Sequence, residues 1–168
     1  RALGYPVEDT PRGYVVDNLN RDLQSAESET ERTVFVCEGG TTFRFLLALC
    51  CTRLKPTKLL LSPGLMQRPH EPLIRALRSG GASIEGFSDQ SGQGYVVRGW
   101  PSMPQVFSVD PTLSSQFVSA LTLLAVGAEA PFTIRLLGEP VSRPYLELTY
   151  ALLEQAGVEI IAHGDVIA

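Results

Sequence analysis

Apolar residues along this chain fall into two kinds of run, and the periods differ. Short β-type runs are Thr33-Val34-Phe35-Val36-Cys37, Lys58 to Ser62, Val106 to Val109, Phe132 to Leu137 and Val158 to Ala162. Longer runs with helical spacing begin near Thr42, Pro69, Ser114 and Pro144. They predict helices from Thr42 to just before Lys55-Pro56, from Pro69 to Gly80-Gly81, from Ser114 to about Ala125, and from Pro144 to about Ala156. The first is expected to bury Phe45, Leu46, Leu49 and Cys50, the second Leu73, Ile74 and Leu77. Pro69 suits a first helical turn, where a missing N–H costs nothing, and the glycine pair suits the stop. Ala82 to Gly86 and Gly94 to Arg98 read as a β pair joined by a Ser/Asp/Gly-rich turn. Residues 20–32 are polar and read as a solvated loop.

The order β-α-β-α-β-β occurs twice, and particular residues repeat with it. Thr42-Phe43-Arg44-Phe45-Leu46-Leu47-Ala48-Leu49 matches Ser114-Ser115-Gln116-Phe117-Val118-Ser119-Ala120-Leu121 at an offset of 72, and Arg68-Pro69 matches Arg143-Pro144 at an offset of 75. Gly13-Tyr14-Val15-Val16 repeats as Gly94-Tyr95-Val96-Val97. A fixed repeat sets the architecture before propensities are counted. The reading is an α/β fold of repeated β-α-β-α-β-β units, with mixed sheets outside and helices buried between them. The Ser114 helix has almost no polar face and belongs in an interior. Residues 33–100 form one unit, residues 105–168 another, and residues 1–18 the tail of a truncated earlier unit. The whole is expected to be a single-domain fragment of a longer protein.

Composition narrows the function. The chain has 168 residues, 44% hydrophobic and 19% charged, as in a soluble globular protein. No apolar run reaches bilayer-spanning length, and no basic-then-apolar leader precedes it. A net charge of −4 argues against a nucleic-acid surface. Yet the cations are Lys55, Lys58 and twelve arginines, the residue suited to bidentate capture of carboxylate or phosphate. The three cysteines, 37, 50 and 51, form neither a disulfide framework nor a metal spacing and read as buried thiols in a reducing cytoplasm. His70 and His163 lie 93 residues apart and are given no catalytic role.

Chemistry is expected at the repeated helix starts. Gly39-Gly40-Thr41-Thr42 follows a strand and opens a helix, where free N–H groups and the positive dipole end receive an anion. Ser114-Ser115-Gln116 adds two hydroxyls and an amide that can donate and accept. The alternative is that Thr42 and Ser114 are only N-caps. Arg44, next to the apolar Phe45, needs a protein carboxylate or a bound anion. Arg68 and Arg143 precede proline at a helix start, either facing an anion or pointing into solvent. Tyr145 either bonds a ligand hydroxyl or edges the core. The glycine run is no P-loop, since it lacks the Gly-Lys-Ser/Thr ending.

Four segments together resemble 5-enolpyruvylshikimate-3-phosphate synthase (EPSP synthase). Glu38-Gly39-Gly40-Thr41-Thr42-Phe43-Arg44-Phe45-Leu46 is similar to that family's Asn/Asp-Ala-Gly-Thr-x-x-Arg-Phe/Pro-Leu signature. Gln67-Arg68-Pro69, followed by Pro72-Leu73 and Ala76-Leu77, is similar to its Arg-Pro helix. Val109-Asp110 with Leu113-Ser114-Ser115-Gln116-Phe117 resembles its Ser-Ser-Gln-Phe segment, and Val141-Ser142-Arg143-Pro144-Tyr145 its Val-Ser-Lys/Arg-Pro-Tyr segment. The resemblance implies an inside-out α/β barrel domain, one of two in that family, and transfer of the enolpyruvyl group of phosphoenolpyruvate to the 5-hydroxyl of shikimate 3-phosphate without metal or organic cofactor. It implies that Ser114, Ser115, Gln116, Ser142 and Tyr145 line the shikimate 3-phosphate site. Gly40, Arg68 and Gln116 would contact phosphoenolpyruvate, with Thr41 and Arg44 as support. At Gly40 a larger side chain would crowd glyphosate.

Two departures are visible: Glu38-Gly39 stands where the family has Asn/Asp-Ala, and Gly64-Leu65-Met66 lacks basic character. The family's proton-transfer lysines and carboxylates match nothing here. The expectation is therefore a substrate-binding half, inactive alone, whose missing second domain leaves an apolar, self-associating surface. Two other readings stay open. The enolpyruvyl transferase acting on UDP-N-acetylglucosamine shares the fold, though its usual Arg-Ala-Ser and Leu-Gly-Pro-Leu run is absent. The chain could also be a non-catalytic interaction remnant.

Overall fold

The computed structural model describes residues 7–11, 13–16 and 32–168; the stretch read as a polar loop lies outside them, apart from Arg32. Strands β1 (Val7–Thr10) and β2 (Gly13–Val16) form an antiparallel hairpin with Val7 opposite Val16. One β-α-β-α-β-β unit follows: β3 (Arg32–Phe35), α1 (Gly40–Cys50), β4 (Thr57–Leu61), a short helix α2 (Pro63–Met66), α3 (Glu71–Ser79), β5 (Ser83–Asp89) and β6 (Gly92–Arg98). The next comprises β7 (Val106–Val109), α4 (Gln116–Thr122) running into a 3₁₀ turn at Leu123–Gly127, β8 (Thr133–Leu136), α5 (Arg143–Gln155), β9 (Ala162–His163) and β10 (Val166–Ile167).

The two four-stranded sheets have the same order and sense. In one, β3 lies parallel to β4, and β6 inserts antiparallel between β4 and β5. In the other, β7 lies parallel to β8, and β10 inserts between β8 and β9. Each sheet turns one face inward, as the alternation in β4 shows: Thr57, Leu59 and Leu61 are buried, Lys58 and Leu60 less so. Between the sheets α1 packs on α4, burying Phe43, Leu47, Phe117 and Leu121 completely. Helix α3 packs on β7 across the unit boundary, where Phe107 lies 5.7 Å from Trp100 and 5.6 Å from Phe132, ring centre to ring centre. Fully burying such side chains stabilises the fold by about 1.5–3 kcal/mol each. Helix α5 sends Leu146 and Leu153 into the core but leaves Tyr145, Leu148 and Leu152 exposed.

Several expectations shift. Helix α1 buries Phe43, Leu47 and Ala48 instead of Leu49, which is exposed, and Phe45 and Leu46 are half-buried. The helix is apolar around most of its circumference, so spacing alone did not fix which side meets α4. Pro69 precedes α3 rather than opening it: His70 is the N-cap, and Pro72 fills the first turn. Pro63-Gly64 ends β4 by starting α2, because Ser62 Oγ accepts from Leu65 N at 3.2 Å. Residues 158–161 do not form a strand; the last hairpin lies at β9 and β10, extended by paired bonds between Ile161 and Ala168. Cys50 and Cys51 are buried free thiols as expected, but Cys37 is exposed.

Candidate functional site

Parallel pairing fixes where the helices begin. Each helix joining β3 to β4, or β7 to β8, must run back against its strands, and so must those that follow β4 and β8. Helix starts therefore gather at the carboxyl ends of the parallel strands, the usual ligand edge of an open α/β sheet.

At α1 the backbone turns sharply. Cys37 adopts φ 57°, and Gly39 is the N-cap with no side-chain cap hydrogen bond. At α4 the N-cap is Ser115, buried and again not capping through its side chain; Ser114 Oγ accepts from Gln116 N at 3.3 Å. Thr42 and Ser114 thus do not occupy the N-cap positions. Asp110 stabilises the approach to α4, accepting from Thr112 N at 2.9 Å and Thr112 Oγ1 at 2.6 Å, and these bonds lower its pKa. A side chain at Gly138 would meet Thr112 Cγ2 at 2.9 Å, so the loop before α5 lies against the loop before α4.

Arg44 joins these parts. It is 7% exposed, with its guanidinium 5.0 Å from the Phe117 ring centre. Nη1 donates to Gln116 Oε1 at 2.5 Å and to Ser114 Oγ at 3.4 Å, and Nη2 donates to Pro69 O at 3.0 Å. Nε is buried and unpartnered. Burial, reinforced by the Arg68 charge, lowers the Arg44 pKa from the usual arginine range. Arg68 is exposed in the turn between α2 and α3. A Cβ placed on Gly40 would lie 3.0 Å from Arg68 Nη1 and 3.8 Å from Arg44 Nη1, so both guanidiniums converge over the first residue of α1. No carboxylate of the described residues pairs with either arginine. Like charges held together without an acid form a site for an anion.

His70 holds the Arg68 loop from behind. It is 2% exposed, its Nε2 donates to Leu65 O at 2.8 Å, and its ring packs edge-on against Phe43 at 4.6 Å. Nδ1 is unpartnered, and burial drives the imidazole pKa down, helped by the Arg44 and Arg68 charges.

Gly40, Arg44, Arg68, Ser114 and Gln116 thus come together, with Thr41 exposed on the first turn of α1. Ser142 and Tyr145 lie at the start of the neighbouring α5; Ser142 is a left-handed N-cap at φ 55°, and Tyr145 is 67% exposed. The adjacent Arg143 pairs with Glu139. No side-chain hydrogen bond links Ser142 or Tyr145 to the arginine cluster, but Ser119 on α4 and Thr149 on α5 meet at 2.9 Å one turn below. The bond to the Pro69 carbonyl and the supporting role of His70, which the sequence reading leaves without a function, were not legible because both depend on a loop that folds back onto α1. A cleft of about 600 Å³ lies elsewhere, between the 3₁₀ turn and residues 156–161, apolar along Val126, Phe132, Val158 and Ile160. Among the described residues no three metal-ligating side chains converge, and no helix is long and apolar enough to cross a membrane.

Residues 1–166 match the family model for EPSP synthase (3-phosphoshikimate 1-carboxyvinyltransferase). A 3-phosphoshikimate 1-carboxyvinyltransferase of Sodalis glossinidius is 33% identical over 95% of this chain, and one of Methanosphaerula palustris is 34% identical over 95%. Those alignments cover 36% and 37% of the relatives, so the chain spans about a third of their length. An EPSP synthase structure from Acinetobacter baumannii superposes over 99% of this chain and 36% of its own with a TM-score of 0.73, at 19% identity, which supports the fold. The chain belongs to the EPSP synthase family.

Proposed function

We propose that this chain is the substrate-binding part of an enzyme that transfers the enolpyruvyl group of phosphoenolpyruvate to the 5-hydroxyl of shikimate 3-phosphate, releasing phosphate. The observation that carries the reading is the convergence of Arg44 and Arg68 over Gly40 with no carboxylate of the described residues paired to either. Arg68 and the backbone at Gly40 take phosphoenolpyruvate, with Thr41 and Arg44 in support. Ser114, Ser115 and Ser142 hold the shikimate phosphate, Tyr145 and Gln116 face the ring, and Gln116 also reaches phosphoenolpyruvate. Every group in this set is a hydrogen-bond donor, and the set contains no histidine, lysine or carboxylate to carry a proton in the reaction. The isolated chain therefore binds substrate without turnover, and the catalytic partner is the remainder of the protein, a second domain of the same polypeptide. Residues 33–100 and 105–168 are two successive repeat units. Three free thiols suit a reducing cytoplasm.

Calorimetric titration with shikimate 3-phosphate, beside shikimate and inorganic phosphate, tests this. Saturable binding that needs ring and phosphate together, and is lost in Ser115→Ala and Gln116→Ala, is the expected result. Binding of UDP-N-acetylglucosamine in preference to shikimate 3-phosphate would overturn the substrate assignment, and no binding by the folded chain would remove the half-site.

A further inference from the structure

We propose that Arg44 is a positioning residue that locks the side-chain amide of Gln116 with its Nε2 donors turned away from Arg44, so that Gln116 offers a ligand two N–H groups and no acceptor. The inference rests on the substrate-site reading above and adds a polarity to it. A guanidinium carries five N–H donors and no acceptor. The amide atom 2.5 Å from Arg44 Nη1 must therefore be oxygen, and Gln116 has already been placed with Oε1 there. The nitrogen, on the opposite branch of the same planar group, is left free to donate.

A free glutamine would not hold this choice, because its terminal torsion is broad and nearly two-fold. Arg44 removes the freedom because it cannot itself move. Its guanidinium lies against Phe117, the residue after Gln116, and Nη2 is tied to the Pro69 carbonyl at 3.0 Å. Burial at 7% exposure excludes the alternative conformers open to a surface arginine. One side chain thus joins the first turn of α1, the loop carrying Arg68 and the first turn of α4. The cation also polarises the amide it binds, which strengthens the outward N–H groups as donors. The ligand atom facing Gln116 is accordingly an acceptor, an ester, hydroxyl or carboxylate oxygen, and a group that only donates is rejected there.

The test uses the 168-residue chain with shikimate 3-phosphate as probe and four variants. Gln116→Glu keeps the shape but replaces the outward donors with a carboxylate oxygen. Arg44→Met keeps packing on Phe117 and removes the lock; Arg44→Lys keeps the charge but cannot reach Pro69 O and Gln116 Oε1 together. The expected result is a loss of about 10- to 100-fold in affinity for each single variant, the scale of one charge-assisted hydrogen bond. Arg44→Met combined with Gln116→Glu should lose less than the product of the two. Without ligand, the carboxylate introduced by Gln116→Glu should titrate below the ordinary glutamate range by NMR, and return to it when Arg44→Met is added. Wild-type affinity in Arg44→Lys would show that charge alone suffices and overturn the proposal. So would unchanged affinity in Gln116→Glu, or an introduced carboxylate with an ordinary titration. If the wild-type chain fails to bind the probe, the substrate-site reading falls, and the ligand-free titration still decides whether Arg44 grips Gln116.

Discussion

Replacing Gly40 with alanine separates folding from binding at this site. The new Cβ would sit 3.0 Å from Arg68 Nη1, 3.8 Å from Arg44 Nη1 and 4.0 Å from Arg68 Cδ. The closest of these is the far end of an exposed, flexible side chain, which can move by a few tenths of an ångström. The backbone of Gly40 is helical, so alanine meets no backbone strain, and it lowers the entropy of the unfolded chain by about 0.4–1 kcal/mol. Stability should hold or rise slightly, by roughly 1–4 °C in unfolding temperature for a domain of this size. Binding should respond differently. The methyl group occupies the space over α1 where an anion would meet both guanidiniums. Loss of one charge-assisted hydrogen bond to Arg68 costs about 1.5–3 kcal/mol, or roughly 10- to 150-fold in affinity. Phosphoenolpyruvate titrated into chain saturated with shikimate 3-phosphate should weaken by that factor, while shikimate 3-phosphate alone should bind nearly as before. A fall of more than about 5 °C in unfolding temperature would show that Arg68 cannot yield. Unchanged phosphoenolpyruvate affinity would show that the arginines do not receive it at Gly40.

Gly94→Ala should destabilise by about 3 kcal/mol, because its Cβ would lie 1.9 Å from the Leu59 carbonyl oxygen, and backbone cannot give way there; a loss under about 1 kcal/mol in urea unfolding would refute this. Burial pushes the Cys50 thiol up to about 11 and the Cys51 thiol higher still, so iodoacetamide at pH 8 should modify Cys37 alone in the native chain and all three cysteines in denaturant, as counted by mass spectrometry. His70 has a folded pKa below its unfolded value, so the unfolded chain binds the extra proton. Stability from this residue is complete above the unfolded pKa near ~6.5 and falls as pH drops from there toward the folded value. The urea midpoint of wild type should therefore fall more than that of His70→Phe between pH 7.5 and 5.5, and parallel falls would refute it. The exposed Leu148 and Leu152 should promote self-association of the chain, which Leu148→Lys with Leu152→Lys should reduce in sedimentation; a monodisperse wild-type monomer at high concentration would count against it.

The β-α-β-α-β-β order was legible because it rests on local signals: β-type runs, helical spacing, and Gly or Pro between them. Gly94 shows why even a single repeated residue was informative, since the close approach of Leu59 to that strand excludes a side chain. Where the reading missed, the deciding force was not local. The buried side of α1 depends on the position of α4, and α1 is nearly as apolar on Leu49 as on Leu47. Residues 158–161 are β-like in composition, yet the ladder to β8 is taken by β10. At the site, helix starts rich in Gly, Ser and Thr could be recognised one at a time. Nothing in the sequence joined Arg44 to the Pro69 carbonyl, because that bond requires α2 to fold the loop back onto α1.

Arg44 and Gln116 are 72 residues apart, the same interval that relates the two helix motifs, so they occupy equivalent positions in the two units and touch. Equivalent residues meet only where two repeats are related by a rotation and lie close to its axis. An unbroken repeat would put the same side chain on both sides of that contact. Two arginines there would repel, as Arg44 and Arg68 already do, and two glutamines would leave the amide orientation open. Arginine against glutamine resolves both problems, since one side only donates and the other accepts while keeping a donor for the ligand. Departure from the repeat at this position converts a symmetric joint between units into one with a direction, and it gives a physical reason why the two matched helix starts differ at the residue proposed to face the ligand.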